Sequence, residues 1–220
     1  MLRLARREPS AILLFAQLAS LLLYPFLEGN DVRRALFSVL GIAILGLVLL
    51  AVRGSPVLLW IGVALAIPAT ALLMVQAITT NDDLQPWSAA FEAPLYFYAG
   101  YALIRYMLAD HEITRDELFA VGATFTLVAW GFAYTYTVCQ AIEPRSFTAA
   151  VDPRAARSWM ELLFLSFTTL TSTGLSDVVP VKAFARSLVM IEQLAGVGYV
   201  AMVVSRLVGL MVLRQGRTAP

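Results

Sequence analysis

Thr168-Thr169-Leu170-Thr171-Ser172-Thr173-Gly174-Leu175-Ser176-Asp177 is a hydroxyl-rich decapeptide with a single glycine, set between two long apolar stretches. The residues leading into it, Trp159–Leu170, form an apolar run of 12 residues. A bilayer crossing needs about 20, so this run is expected to enter the membrane and stop, or to be a buried core helix. It opens on Ser158-Trp159-Met160-Glu161, a capping box in which Ser and Glu satisfy each other's free backbone N–H groups. Irregular backbone at membrane depth is tolerated only where protein buries it or water bathes it. A row of backbone carbonyls on a narrow path can replace a cation's hydration shell. The partially negative C-terminal end of the preceding helix favours a cation at that place. Glu161 reads as the cap rather than as an ion site.

The rest of the chain supplies the membrane setting. Of 220 residues, 60% are hydrophobic and 14% charged, with mean hydropathy +0.76. Soluble domains average about 25% charged residues. A soluble fold of this size could not hide so much apolar surface. Sixteen basic and 15 acidic residues leave a net charge of +1, which excludes nucleic-acid binding through bulk positive charge. One cysteine, Cys139, and one histidine, His111, exclude an internal disulfide and a Cys/His metal cluster.

Six stretches are long enough to span: roughly Ala11–Leu27, Ala35–Val52, Pro56–Thr79, Trp87–Leu108, Leu118–Ala141 and Ala183–Leu213. Arg3, Arg6 and Arg7 mimic the n-region of a signal peptide. However, Tyr24, Pro25 and Phe26 stand where small cleavage-site residues are needed, so the first stretch reads as a retained span. With both termini inside, nine basic residues are cytoplasmic against seven outside, a small positive-inside bias. Thr114-Arg115-Asp116-Glu117 is a second capping box and opens the fifth span. Glu143–Arg157 is the longest polar linker, and no soluble ligand-binding domain is expected after Leu213.

The decapeptide resembles the filter of tetrameric potassium channels, whose pattern is T-T-x-T-T-V-G-Y-G-D. It matches at Thr168, Thr169, Thr171, Gly174 and Asp177. Val178-Val179-Pro180-Val181 and Ala185-Arg186-Ser187-Leu188 resemble the segment that follows. The nearest resemblance is to a bacterial six-span group of channels with one pore loop per chain. It is carried by Thr114-Arg115-Asp116, Phe132-Ala133-Tyr134-Thr135-Tyr136, Glu143-Pro144-Arg145-Ser146-Phe147, Glu192-Gln193 and Arg206-Leu207-Val208-Gly209-Leu210. It covers Thr114–Leu213 well and the first four spans poorly.

The resemblance implies an all-α membrane protein of six transmembrane helices, with a re-entrant pore helix and filter between spans five and six. Residues 1–110 would be a four-helix peripheral domain and 111–220 the pore domain. The implied assembly is a homotetramer in a bacterial inner membrane, without cofactor, passing K⁺. Thr171, Ser172, Thr173, Gly174, Leu175 and Ser176 would line the filter, with a monovalent cation at Ser172, Thr173 and Gly174. Asp177 would form a carboxylate ring at the outer mouth, or bond locally to the filter backbone. Thr168 and Glu192 would support the filter from behind. Gly196 and Gly198 fit either an inner-helix hinge or close helix packing.

The core T-V-G-Y-G is here Ser172-Thr173-Gly174-Leu175-Ser176. Leu175 lacks the phenol that ties the usual filter to the pore helix. Phe164 and Leu165, at the positions of its tryptophan partners, have no side-chain donor. Ser176 replaces a glycine, and a non-glycine residue in the left-handed region costs about 1–2 kcal/mol. The expected filter is conventional at its inner end and altered at its outer end, with fewer ordered sites and weaker selection of K⁺ over Na⁺. A sodium-permeable or non-selective channel is the first alternative. The single retained glycine is also similar to Trk/Ktr-type potassium transporters, which carry four pore loops in one chain. A non-conducting, channel-like interaction protein is the other alternative. An intramembrane protease is excluded because no span holds a Ser–His pair, a His-Glu-x-x-His site or two aspartates.

Arg105 is the sole basic residue of the fourth span, near its inner end, and Glu92 near the other end has no regular basic partner. One elementary charge moved through the field supplies about 2.3 kcal/mol per 100 mV. Voltage steps applied to reconstituted protein are therefore expected to give shallow activation, and conductance rising steeply over a few tens of millivolts would contradict this.

Overall fold

The computed structural model describes residues 8–27, 43–44, 46–47, 59–79, 84–109 and 114–218. Most of the expected second span, Ala35–Val52, lies outside the described residues, as do His111 and the arginines at 3, 6, 7, 33, 34 and 53. The described chain is mostly helical: α1 (Pro9–Leu27), α2 (Leu59–Thr79), α3 (Gln85–Met107), α4 (Arg115–Ile142), α5 (Trp159–Leu170) and α6 (Ala183–Thr218). Two three-residue strands, β1 (Phe147–Ala149) and β2 (Val178–Pro180), complete it. Among the described residues, α4 and the Ala183–Gly209 part of α6 are the helices long and apolar enough to cross a membrane.

The helix starts follow local chemistry. Thr114 caps α4, its hydroxyl accepting the N–H of Glu117 at 3.2 Å. Ser158 and Glu161 form the full reciprocal box on α5. Asp116 caps a different helix: its carboxylate accepts the backbone N–H of Ser10 at 3.0 Å and the Ser10 hydroxyl at 2.9 Å, both in the first turn of α1. A carboxylate there completes the free N–H groups and favours the positive end of the helix. Pro68 and Pro94 lie inside α2 and α3. Each removes one backbone donor, which neighbouring helices make tolerable at membrane depth.

Small residues set the spacing. Ala99 and Ala102 of α3, Ala123 and Ala133 of α4 and Ala69 of α2 are fully buried, which lets backbones approach closely. α3 packs along α4, and one core runs from Leu13 of α1 through Tyr96 and Trp130 to Trp159 and Leu170 of α5. A second core joins Phe132 and Tyr136 of α4 to Phe147, Leu162, Val178 and Val189.

The linker Glu143–Arg157 was expected to be plain loop. The structure corrects this: β1 lies within it and pairs antiparallel with β2, in the register Phe147↔Pro180, Thr148↔Val179, Ala149↔Val178. The ribbon clips the segment before α5 to the segment after the decapeptide. Phe147 anchors it against Tyr136, with ring centroids 5.1 Å apart. Arg157 ends the linker as a structural residue. Its guanidinium donates to the carbonyls of Asp152 and Ala155 and to Glu161, while its backbone pairs with the Gln140 amide at 3.0 and 2.7 Å.

α6 runs unbroken through Gly196 and Gly198. The two glycines differ. A Cβ on Gly196 would meet the Leu170 carbonyl oxygen at 2.1 Å, whereas one on Gly198 would meet nothing within 4 Å. Gly196 is required by the contact of α6 with the end of α5. Gly196→Ala is expected to cost about 1–3 kcal/mol through overpacking, lowering the thermal midpoint in detergent. Gly198→Ala is expected to raise it slightly, by about 0.5–1 kcal/mol of helix propensity. Equal effects at both positions would refute the packing assignment.

Candidate functional site

The site is the junction of α5, the decapeptide and α6. α5 ends in a Schellman motif: the N–H of Ser172 donates to Thr169 O at 2.9 Å and the N–H of Thr173 to Thr168 O at 2.9 Å. The reversal needs one residue in the left-handed region. That residue is Ser172, at φ +57°, where glycine is the usual choice. Gly174 is the second left-handed residue, at φ +65°. Ser176 was expected not to present its carbonyl as the second glycine of the usual filter does; the left-handed non-glycine residue of this segment is Ser172. Ser176 instead turns its hydroxyl back to accept the N–H of Val178 at 3.0 Å.

The Thr168 carbonyl is the hub of the turn. It accepts the N–H groups of Thr173 and Gly174 and the Thr173 hydroxyl at 3.3 Å. The Thr171 hydroxyl donates to Phe167 O at 2.7 Å and lies 3.0 Å from the Thr173 hydroxyl. None of these bonds uses the carbonyl oxygens of Thr171, Ser172, Thr173 or Gly174. The segment's donors thus face the end of α5 while these oxygens stay available. Thr171, Ser172, Thr173, Gly174 and Leu175 are exposed on the single chain, Leu175 at 76%. Asp177 is exposed beyond them.

Behind the turn lies a fully buried polar junction. Glu192 of α6, at 0% exposure, accepts hydrogen bonds from the phenol of Tyr136 on α4 and the hydroxyl of Ser166 on α5. Ser166 also lies 2.8 Å from Ala129 O. One carboxylate thus joins outer, short and inner helices. It supports α5 and touches no residue of the decapeptide in these bonds. Thr168 bonds its hydroxyl to Leu165 O at 2.9 Å. Phe164 is half exposed and Leu165 buried, so the missing tryptophan donors have no substitute at those positions.

Further along, α6 is tied to α4 twice more. The Tyr199 phenol donates to Val121 O at 2.7 Å, and Arg206 contacts both carboxylate oxygens of Glu117 at 3.3 Å. Sequence reasoning named Glu192 and Thr168 but missed Tyr136, Ser166, Tyr199 and the Glu117–Arg206 pair. Tyr136 and Arg206 do lie in the stretches that carry the resemblance. Their pairing follows from helix register that one sequence does not show.

Residues 122–212 match the family model described as an ion channel (Ion_trans_2). The matched stretch holds most of α4, the ribbon, α5, the decapeptide and most of α6, so the junction described above lies within the part of the chain that is similar to ion channels. No curated protein and no solved structure matches the chain.

The turn geometry makes opposite predictions for neighbouring residues. Gly174→Ala is expected to destabilise by about 1–2 kcal/mol, from the left-handed backbone alone, since no atom within 4 Å would meet the new Cβ. Ser172→Gly is expected to relieve strain there and raise the thermal midpoint. A lower midpoint for Ser172→Gly in chemically matched detergent would rule out the left-handed turn.

Proposed function

We propose that the chain is one subunit of a homotetrameric, six-span cation channel that passes K⁺ along a path lined by Thr171 to Ser176. The observation that carries this reading is the pattern of α6. Its positions Ala185, Val189, Glu192, Gly196, Tyr199, Val203 and Arg206 lie against its own chain and are buried or half-buried. A second row, Met190, Leu194, Val197, Ala201, Val204 and Val208, repeats the same alternating four- and three-residue spacing and is exposed. That spacing is the seam by which helices supercoil on one another. One seam is filled within the chain and the other fits copies of the same helix.

A single decapeptide likewise offers one arc of oxygens, and a ring needs equivalent copies about an axis. In such a ring the carbonyls of Ser172, Thr173 and Gly174 are the cation ligands. Asp177 adds a ring of carboxylates that raises the local cation concentration. The membrane is a bacterial inner membrane with both termini cytoplasmic.

Leu175 and Ser176 favour a less selective pore as the second reading. They supply neither the phenol anchor nor the second glycine, so ordered sites end near Gly174. Sites in series are what select an ion while letting it leave. Purified protein is expected to have four times the chain mass by native mass spectrometry. In planar bilayers it is expected to give a cation reversal potential favouring K⁺ over Na⁺ by less than a filter with all its sites. A monomer carrying full flux would sink the assembly; strong K⁺ selectivity with four evenly spaced ions from Ser172 to Ser176 would sink the shortened filter.

A further inference from the structure

Glu92 of α3 takes no part in the site above. It is 1% exposed, and neither carboxylate oxygen has a partner in hydrogen-bond geometry among the described residues. The phenols of Tyr134 on α4 and Tyr96, one turn along α3, lie close enough to interact with it electrostatically. These tyrosines belong to a closed set of four rings. Tyr96 stacks on Tyr134 with centroids 5.4 Å apart and planes at 4°. Tyr134 meets Trp159 at 5.5 Å, Trp159 meets Trp130 at 5.8 Å, and Trp130 returns to Tyr96 at 5.5 Å. Trp159 is the first residue of α5. The carboxylate therefore sits at one edge of an aromatic cluster whose opposite edge is the start of the pore helix.

A bare carboxylate in this position needs a counter-charge or donors, because an unpaired charge out of water costs several kcal/mol. Among the described residues no basic group supplies it, and the ionisable groups facing Glu92 there are Tyr96 of α3 and Tyr134 of α4. α2 carries no ionisable residue, α1 carries Tyr24 alone, and the one acid of α5, Glu161, is paired with Arg157. An alkali cation would need a shell of oxygens, and two phenols do not make one. A proton needs a single acceptor, and a protonated carboxyl has one O–H to donate to a phenol oxygen.

We propose that Glu92 is a proton-binding site of the peripheral helices and that its occupancy is read by the pore helix through the Tyr96–Tyr134–Trp159–Trp130 cluster. With the proton bound, Glu92 is neutral and draws neither phenol hydroxyl to itself, and the phenol rings stack as observed. With the proton lost, both phenol hydroxyls turn to the carboxylate, Tyr134 shifts, and Trp159 loses the tilted ring contact it makes with Tyr134. The inference concerns the peripheral helices and stands whether or not the chain conducts.

The test is tryptophan fluorescence of the full chain in lipid nanodiscs across a pH titration. Trp60 and Trp87, both exposed, are replaced by Phe so that Trp130 and Trp159 report. A single-proton transition is expected, lost in Glu92→Gln and moved to a different midpoint in Glu92→Asp. A flat titration of the protein that retains Glu92, or an unchanged transition in Glu92→Gln, would overturn the proposal. Should Glu92→Gln fail to fold, infrared spectroscopy of the Glu92 protein decides. A carboxylic-acid C=O band must vanish with the midpoint of the fluorescence change, and its absence would overturn the proposal equally. Conduction does not enter either readout, so failure here and failure of the channel reading are separate results.

Discussion

One buried carboxylate holds α4, α5 and α6 together. Glu192 has no exposed surface, and two hydroxyl donors from two other helices converge on it. In a low-dielectric interior such a group is strongly stabilising only while its donors are in place, and costly once either is lost. The position of α5 between α4 and α6 is therefore defined by polar geometry as well as by apolar contact. Apolar contact alone tolerates sliding in lipid, where helix association lacks the hydrophobic drive it has in water. Gly196 against the Leu170 carbonyl, one turn along, is the steric counterpart of this polar lock.

From that fixed helix the turn at Thr171–Gly174 follows. The Schellman bonds draw the donors of Ser172, Thr173 and Gly174 back onto the carbonyls of Thr168 and Thr169. The helix end is thus satisfied by the very segment that leaves it. The oxygens of that segment remain unclaimed by its own turn. The ribbon of β1 and β2 then returns the chain to the outer rim, so the segment is held at both ends by hydrogen bonds made within one chain.

Much of this was legible in the sequence. The short helix was bounded correctly at Trp159 and Leu170, because a capping box and a hydroxyl-rich run mark its two ends locally. The starts of α4 and α6 were read within three residues for similar reasons. The ribbon was not, since three-residue strands carry too little alternation to separate from loop. The left-handed turn at Ser172 was not read, because Ser172 takes a conformation glycine usually takes, and only the surrounding bonds compel it. Glu192 was visible as an acid within an apolar stretch, and its partners on α4 and α5 were not. They are brought together by helix register over separations of 56 and 26 residues. Glu117 was read as half of a capping box; its carboxylate lies against Arg206 instead.

In the assembly proposed above, the two seams of α6 also bear on how copies of the chain find one another. The exposed seam is apolar, and lipid tails solvate it as readily as a partner helix does. Assembly through it is a competition between protein and lipid for the same surface, decided by packing rather than by escape from water. The relevant concentration is then protein per lipid, not protein per volume. In that assembly, dilution with added lipid drives the copies apart.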